Sequence, residues 1–258
     1  MPSQRHVPNL ERGMKILEHL NLHPAGLTQK ELAVQLGYPG NSVFRITMTL
    51  LELGYLDRDP ATKAFRLTRK LMSVGSASIG EYSMIEKSLE EMRGLRDLTH
   101  ETVLLGALLP TTAKGVVLEQ VPGLHPFKFL FDVGSPVLLH VGAPGKCLLA
   151  FQPEKECRDL LGRIDYQVFT PRTHANAASL RKELASVRKL GYALDRGEWM
   201  EEMHCIGAPI FDHNRLVVAT IWLTGPTSRL PEKDFPRLGE LVRQACLRVS
   251  HSIGYREG

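Results

Sequence analysis

Cys205 follows His204, and Asp195 lies ten residues upstream, so a thiol, an imidazole and a carboxylate share one short stretch. An enzyme reading would take Cys205 as the nucleophile and His204 as the base that accepts its proton. The surrounding residues read as a strand, whose neighbours point to opposite faces, so His204 and Cys205 cannot form a hydrogen-bonded pair. A thiol enzyme would need another base, such as His140 or His174. His140, Asp195 and Cys205 also have the donor types of a zinc site, although no local ligand spacing supports one. A second set, Gly142-Ala143-Pro144-Gly145, brings small residues to a helix start, where open N–H groups and the helix dipole favour an anion such as a carboxylate. A third set lies far upstream. Asn41, Phe44, Arg45 and Met48 share one helix face, with Ser42 at its start, and there Arg can pair bidentately with guanine and Asn with adenine, each at ~1–3 kcal/mol of discrimination. Thr28, Gln29 and Lys30 before them, and Arg58, Lys63 and Arg66 after them, suit phosphates better than bases.

The elements that must position this third set are legible between Leu27 and Leu67. Thr28 followed by Glu31 is a capping box, and Leu32, Ala33 and Leu36 supply the buried stripe of a helix that Gly37-Tyr38-Pro39-Gly40 stops. Asn41 or Ser42 can cap the next helix, where Val43, Ile46, Leu50 and Leu53 share a face opposite Asn41, Phe44, Arg45, Met48 and Glu52. Two short β-type runs, Tyr55 to Arg58 and Ala64 to Leu67, flank a turn at Asp59-Pro60-Ala61-Thr62-Lys63. A helix from Asn9 to His19, with Leu10, Met14 and Leu17 on one face, completes a winged helix-turn-helix, a layout that predicts sequence-specific DNA binding.

Charge agrees with this placement. Residues 1–80 carry ten Lys plus Arg against six Asp plus Glu, a net of +4, while residues 81–258 carry 22 of each sign. Cations that neutralise phosphates release counterions and supply the sequence-independent part of DNA affinity. With 258 residues, 43% of them hydrophobic and 23% charged, the chain has material for two ordinary globular domains and excludes a disordered or collagen-like protein. It has no apolar run of membrane-spanning length and no signal-peptide core near its start, so a cytoplasmic protein is expected. Cys147, Cys157, Cys205 and Cys246 lack metal-finger spacing and read as reduced, buried thiols. No cofactor is expected.

The expected division is a DNA-binding domain over 1–72, a linker over 73–82 in the small-residue stretch Gly75-Ser76-Ala77-Ser78-Ile79-Gly80, and a second domain over 83–258. That domain opens with a helix over Ile85 to Leu98, followed by strands at Thr102 to Leu109, Val116 to Val121 and Phe127 to Val133. Helices follow near Pro144, over Pro153 to Leu161 and over Ala177 to Leu190. Strands at Tyr192 to Asp195, His204 to Phe211 and Leu216 to Thr224 precede a last helix from Pro231. The order predicts an α+β domain built on an antiparallel sheet. Phe127, Phe129 and Phe131 would alternate on one strand face, with Phe127 and Phe129 as candidate pocket lining.

Several motifs in order resemble the IclR family of bacterial transcription regulators over essentially the whole chain. The first helix reads Leu10-Glu11-Arg12-Gly13-Met14-Lys15-Ile16-Leu17, and the reading helix carries Val43-Phe44-Arg45 and ends Leu53-Gly54-Tyr55-Leu56. Gly142-Ala143-Pro144-Gly145-Lys146, Gly191-Tyr192-Ala193-Leu194-Asp195 and Cys205-Ile206-Gly207-Ala208-Pro209-Ile210 are similar to its effector-domain signatures. The resemblance implies an N-terminal winged helix-turn-helix, a linker helix and a C-terminal GAF-like domain that binds a small metabolite. It implies a homodimer or dimer of dimers on a pseudo-palindromic double-stranded DNA operator, with no membrane partner. It also implies that Gly142, Ala143, Asp195, Cys205 and Thr224 meet in one effector pocket, with Trp222 in its wall. The chain departs from the family pattern at Glu202, His204 and Trp222, the last standing where a small hydroxyl residue is common. The expected effector is a small, flat monocarboxylate bearing a hydroxyl or amide, its carboxylate at Gly142-Ala143 and its far end at Asp195, Cys205 and Thr224; the alternatives are a regulator answering to a metal at His140, Asp195 and Cys205, or a thiol enzyme fused to a DNA-binding domain.

Overall fold

The computed structural model describes residues 7–71, 73, 74, 82–109 and 111–256. Most of the expected linker therefore lies outside the described residues. The chain divides into two compact units, Met1–Glu81 and Tyr82–Gly258.

In the first unit, helices α1 (Pro8–Asn21), α2 (Gln29–Leu36) and α3 (Gly40–Glu52) precede strands β1 (Leu56–Arg58) and β2 (Phe65–Leu67). Thr28 caps α2 as expected: its side chain accepts the Glu31 N–H, and the Glu31 carboxylate accepts the Thr28 N–H at 2.7 Å. Gly37 closes the helix in the left-handed region, at φ 67°, which needs no Cβ to be accommodated. Replacing Thr28 by Ala should cost about 1 kcal/mol of the unit's stability, readable in denaturant unfolding of the full chain followed by helix signal.

Helix α3 starts earlier than its sequence suggests. Pro39 is its N-cap, so neither Asn41 nor Ser42 caps it. Thr47 is fully buried alongside Val43 and satisfies its hydroxyl on the Val43 carbonyl at 2.9 Å, whereas Leu53 is half exposed. The buried stripe is thus rotated towards Thr47, a polar residue that hides its oxygen in the helix backbone. Ile16, Leu20, Leu27, Leu32, Val43, Leu56 and Phe65 form the core. The wing is an antiparallel pair with Leu56 opposite Leu67, and Leu27 bridges to Phe65 from before α2, tying the wing to the helix-turn-helix.

In the second unit, α4 (Tyr82–Thr99) leads to β3 (Thr102–Leu109), β4 (Lys114–Val121) and β5 (Pro136–Val137). Then come α5 (Gly142–Ala150), α6 (Glu154–Leu161), α7 (Ala177–Leu190), β6 (Ala193–Arg196), β7 (Met203–Phe211) and β8 (Val217–Pro226). A 3₁₀ turn over Glu232–Asp234 leads into α8 (Phe235–Ser252). The strands form one antiparallel sheet in the order β5-β4-β3-β8-β7-β6. One face packs on α4 and α8 through residues such as Met92, Leu105, Ile206, Ile221 and Val242. The other packs on α5, α6 and α7 through Leu104, Cys147, Leu148, Leu160, Leu184 and Trp222.

Phe127 to Val133 is not a strand. The place beside β4 belongs to β5, which pairs Val137 with Gly115. The segment instead runs as a strap held by side chains, with the Phe131 N–H donating to Gln120 Oε1 at 2.7 Å and Lys128 Nζ donating to the Gly123 carbonyl at 3.1 Å. No helix of the described residues is long and apolar enough to cross a membrane.

Candidate functional site: a reading head and a half-open cavity

The residues expected to face DNA fall into two groups. On α3, Asn41, Phe44 and Arg45 are exposed, Met48 is partly covered, and the Ser42 hydroxyl accepts from Arg12 at 3.2 Å. Thr28, Gln29, Lys30, Arg58 and Lys63 meet around one open groove with Gly40 at the start of α3. Arg66 points elsewhere, donating to the Ala25 carbonyl at 2.9 Å and standing 3.5 Å from Asp59. Arg58 lies over the Phe65 ring, and Lys63 donates to the Pro60 carbonyl, so the wing cations also hold the wing's shape. A helix N-terminus, exposed cations and an exposed helix face on one small unit are the parts needed to grip phosphates and reach base edges.

In the second unit, sheet register brings the effector-site candidates together. Asp195 pairs with Cys205, and Cys205 pairs with Thr224, so the three lie in one row across β6, β7 and β8. Trp222, two residues before Thr224, shares that face. Room for its indole comes from glycines: a Cβ on Gly106 would lie 3.0 Å from the ring, and one on Gly207 would lie 3.0 Å from Trp222 Cβ.

A cavity of about 350 Å³ opens on this row. Its walls are mostly apolar and flat, with Phe131, Phe169, Trp199, Trp222, Met203 and Val141 among them, and its polar edge is Asp195, Cys205, Gly142 and Ser135. Thr224 stands behind this wall, accepting a hydrogen bond from the Cys205 thiol at 3.3 Å. Ala143 is buried in the core, Phe129 packs against the neighbouring apolar cluster, and Phe127 is 63% exposed, so the side chains of these three are not cavity lining. The strap presents Phe131 instead, because without a strand's alternation its side chains need not share a face.

Two further residues define the site and were not picked out from sequence. Lys146 is fully buried in α5, its ammonium on the Leu194 carbonyl and the Glu198 carboxylate, with Glu183 at 3.5 Å. Glu198 then reaches the start of α5, where its Oε2 accepts the Gly142 N–H at 2.9 Å. A lone lysine in a nine-residue helix that is otherwise apolar was a sequence signal for a buried acid partner.

The helix start is therefore partly filled by the protein's own carboxylate. Gly142 sits at φ 78°, and a Cβ there would lie 3.8 Å from Asp195 Oδ2. Asp195 thus adjoins the helix start, so Gly142 and Asp195 stand side by side and not at opposite ends of the cavity edge. Asp195 Oδ1 accepts the N–H groups of Gly197 and Glu198 at 3.0 and 2.8 Å, whereas Oδ2 is buried with no hydrogen-bond partner among the described residues. Burial pushes the Asp195 carboxyl up to about 6; Glu198 adds to the rise and Lys146 opposes it. Burial, with Asp195 nearby, also holds the Cys205 thiol well above its ordinary range, leaving a neutral donor.

His204 lies on the opposite sheet face, its Nδ1 2.7 Å from the Leu230 carbonyl. His140 Nε2 is 2.9 Å from the Gln167 carbonyl, and His174 stands 3.7 Å from Glu198. Among the described residues, no three His, Cys, Asp or Glu side chains converge to hold a metal ion. The metal reading of His140, Asp195 and Cys205 gains no geometric support.

A winged helix-turn-helix joined to a separate domain with a half-open, largely apolar cavity is the build of a ligand-responsive, DNA-binding transcription regulator. Two family models match: the IclR helix-turn-helix domain over residues 9–60, and the bacterial transcriptional regulator IclR C-terminal domain over residues 76–251. The chain belongs to the IclR family. It is 29% identical to the HTH-type transcriptional regulator XynR of Escherichia coli K12, covering 96% of this chain and 98% of that one. The Thermotoga maritima IclR crystal structure is similar at 27% identity and a TM-score of 0.74, covering 97% of this chain and all of that one. An IclR homologue from Microbacterium hydrocarbonoxydans, complexed with 4-hydroxybenzoate, shares the fold at 20% identity and a TM-score of 0.81, covering 95% of this chain and 98% of that one.

Proposed function

We propose that this regulator acts in the cytoplasm, without enzymatic activity, as a homodimer or dimer of dimers on a two-fold operator, and that its effector is a small, flat organic acid. The carrying observation is Asp195 Oδ2, a buried carboxyl oxygen with no hydrogen-bond partner among the described residues, at the edge of a flat-walled cavity. Native structures leave few such atoms unsatisfied, and Asp195 is among the residues that line the cavity. The acid group would lie beside Gly142 and Asp195. Gly142 already serves Glu198 and Pro144 has no N–H, so the Ala143 N–H is the donor left in the first turn. The ring would lie against Trp199, Trp222 and Phe131. Away from this end the cavity is walled by apolar side chains, where a second carboxylate would be buried without a partner, which favours a monocarboxylate over a dicarboxylate.

Thermal-shift screening of the full chain tests this, starting with benzoates because the fold neighbour from Microbacterium holds one. Flat monocarboxylates should raise Tm and dicarboxylates should not; at a hundredfold excess over Kd the gain is about 2.7 kcal/mol. Asp195→Asn should remove most of the shift, and Trp222→Ser should turn preference towards bulkier acids. Identical responses from parent and both variants would place the effector elsewhere, and selective binding of dicarboxylates would defeat the charge argument.

A further inference from the structure

Two carboxyl groups and one ammonium meet at the start of α5, and their hydrogen bonds are unequal. Both oxygens of Glu198 act as acceptors, Oε1 from the Lys146 ammonium and Oε2 from the Gly142 N–H. Asp195 Oδ1 is likewise committed to the N–H groups of Gly197 and Glu198. Of these four oxygens, Asp195 Oδ2 has no well-aligned hydrogen-bond partner among the described residues, although the neighbouring Cys205 thiol interacts with this carboxyl. An ionised oxygen without donors beside apolar walls is costly, whereas a protonated one becomes a hydrogen-bond donor.

We propose that Asp195 and Glu198 form an acid pair sharing one proton, Glu198 as the carboxylate and Asp195 as the carboxylic acid, so that Asp195 Oδ2–H donates to the effector's carboxylate. The proposal rests on the cavity assignment above. It makes Glu198 a positioning residue, because it acts on the ligand through Asp195.

The groups facing the pair agree. Lys146 on α5 is the cation in contact, and it is shared with Glu183 of α7. Cys205 on β7 is a neutral thiol. His174, before α7, is held below its ordinary value mainly by burial, so near neutral pH it adds no full charge. Acids outnumber cations here, and two carboxyls in one site resist ionising together. The elevated Asp195 value points the same way.

The sign of the pH dependence follows. Losing the Asp195 proton removes the donor and adds a charge that repels an anion. Affinity for an acid should therefore be level below about pH 6 and fall tenfold per unit above it. A neutral amide, which can donate to ionised Asp195, should show no such fall.

Carbon-13 NMR of the side-chain carboxyls in the full chain reads the pair without any ligand. The signal lost in Asp195→Asn should titrate near 6 in the parent and at least about one unit lower in Glu198→Gln, where the repulsion is gone and Lys146 is freed. Calorimetry with benzoate and benzamide then reads the use of the proton. Benzoate should lose affinity tenfold per unit above about pH 6.5 and take up close to one proton as it binds; benzamide should do neither. In Glu198→Gln, benzoate affinity near neutral pH should drop about tenfold while benzamide affinity holds.

An Asp195 midpoint in the ordinary carboxylate range, or one unmoved by Glu198→Gln, overturns the pair. If that variant does not fold, the parent's titration and proton uptake still decide the matter. Benzoate binding that is flat or rises with pH overturns donation to the effector. Failure of both probes to bind, with the titration as expected, counts against the flat-acid reading of the cavity and leaves the paired titration standing.

Discussion

Arg45→Ala should lower affinity for the operator by one to two orders of magnitude and leave binding to scrambled duplex nearly unchanged. The expectation comes from contrast with the wing. Arg45 is exposed on α3, and its guanidinium has no intramolecular partner among the described residues, so its donors are free for a base edge. Arg58, Lys63 and Arg66 are committed to the wing's ring, carbonyls and carboxylate, and their loss should weaken all DNA sequences alike. A bidentate Arg to guanine contact is worth ~1–3 kcal/mol of discrimination, which sets the size of the effect. Quantitative binding to both duplexes at one salt concentration checks it; equal losses would reduce Arg45 to a phosphate contact. If a dimer neutralises about six phosphates, the parent's affinity should also drop by roughly 10³ between 50 and 200 mM salt, and a flat response would refute the interface as a whole.

Gly145→Ala is the substitution expected to harm the second unit most. A Cβ at Gly145 would lie 2.2 Å from the Leu138 carbonyl oxygen and 2.7 Å from Leu139 Cα. These are backbone atoms, which cannot swing aside as a flexible side chain can, so α5 must be pushed off the segment before it. That displaces the helix start, Lys146 and the cavity edge together. The cost is about 3 kcal/mol or more, a fall in Tm of roughly 6–12 °C for a unit of this size. Calorimetric unfolding measures it directly, and a Tm matching the parent's would mean that α5 has slack the packing does not show.

What could be read from sequence follows from what each signal physically reports. The Thr28 and Glu31 pair and Gly37 are local devices, complete within a few residues, and they bound α2 where expected. Apolar alternation reports which side chains seek cover, not which backbone groups find partners. For that reason the phenylalanines of 127–133 suggested a strand, although β5 takes the place beside β4. Thr47 misled in the opposite direction, since a hydroxyl that bonds back to its own helix can be buried like a methyl group. The row of Asp195, Cys205 and Thr224 was reached through family likeness, because register between strands is a long-range property. Glu198 was missed altogether. Its partners, Gly142 and Lys146, lie more than fifty residues upstream, and nothing local to Glu198 announces a buried carboxylate.

The cavity wall has an optical consequence. The chain contains two tryptophans, and both Trp199 and Trp222 line that wall. Trp222 is buried at 4% exposure and should emit to the blue, whereas Trp199, at 39%, samples solvent and should emit to the red. The winged helix-turn-helix contributes no indole fluorescence, so DNA can be present without a competing tryptophan signal from the reading head. The intrinsic emission of the unlabelled protein is thus a two-colour gauge of one cavity, its red component reporting the rim and its blue component the floor.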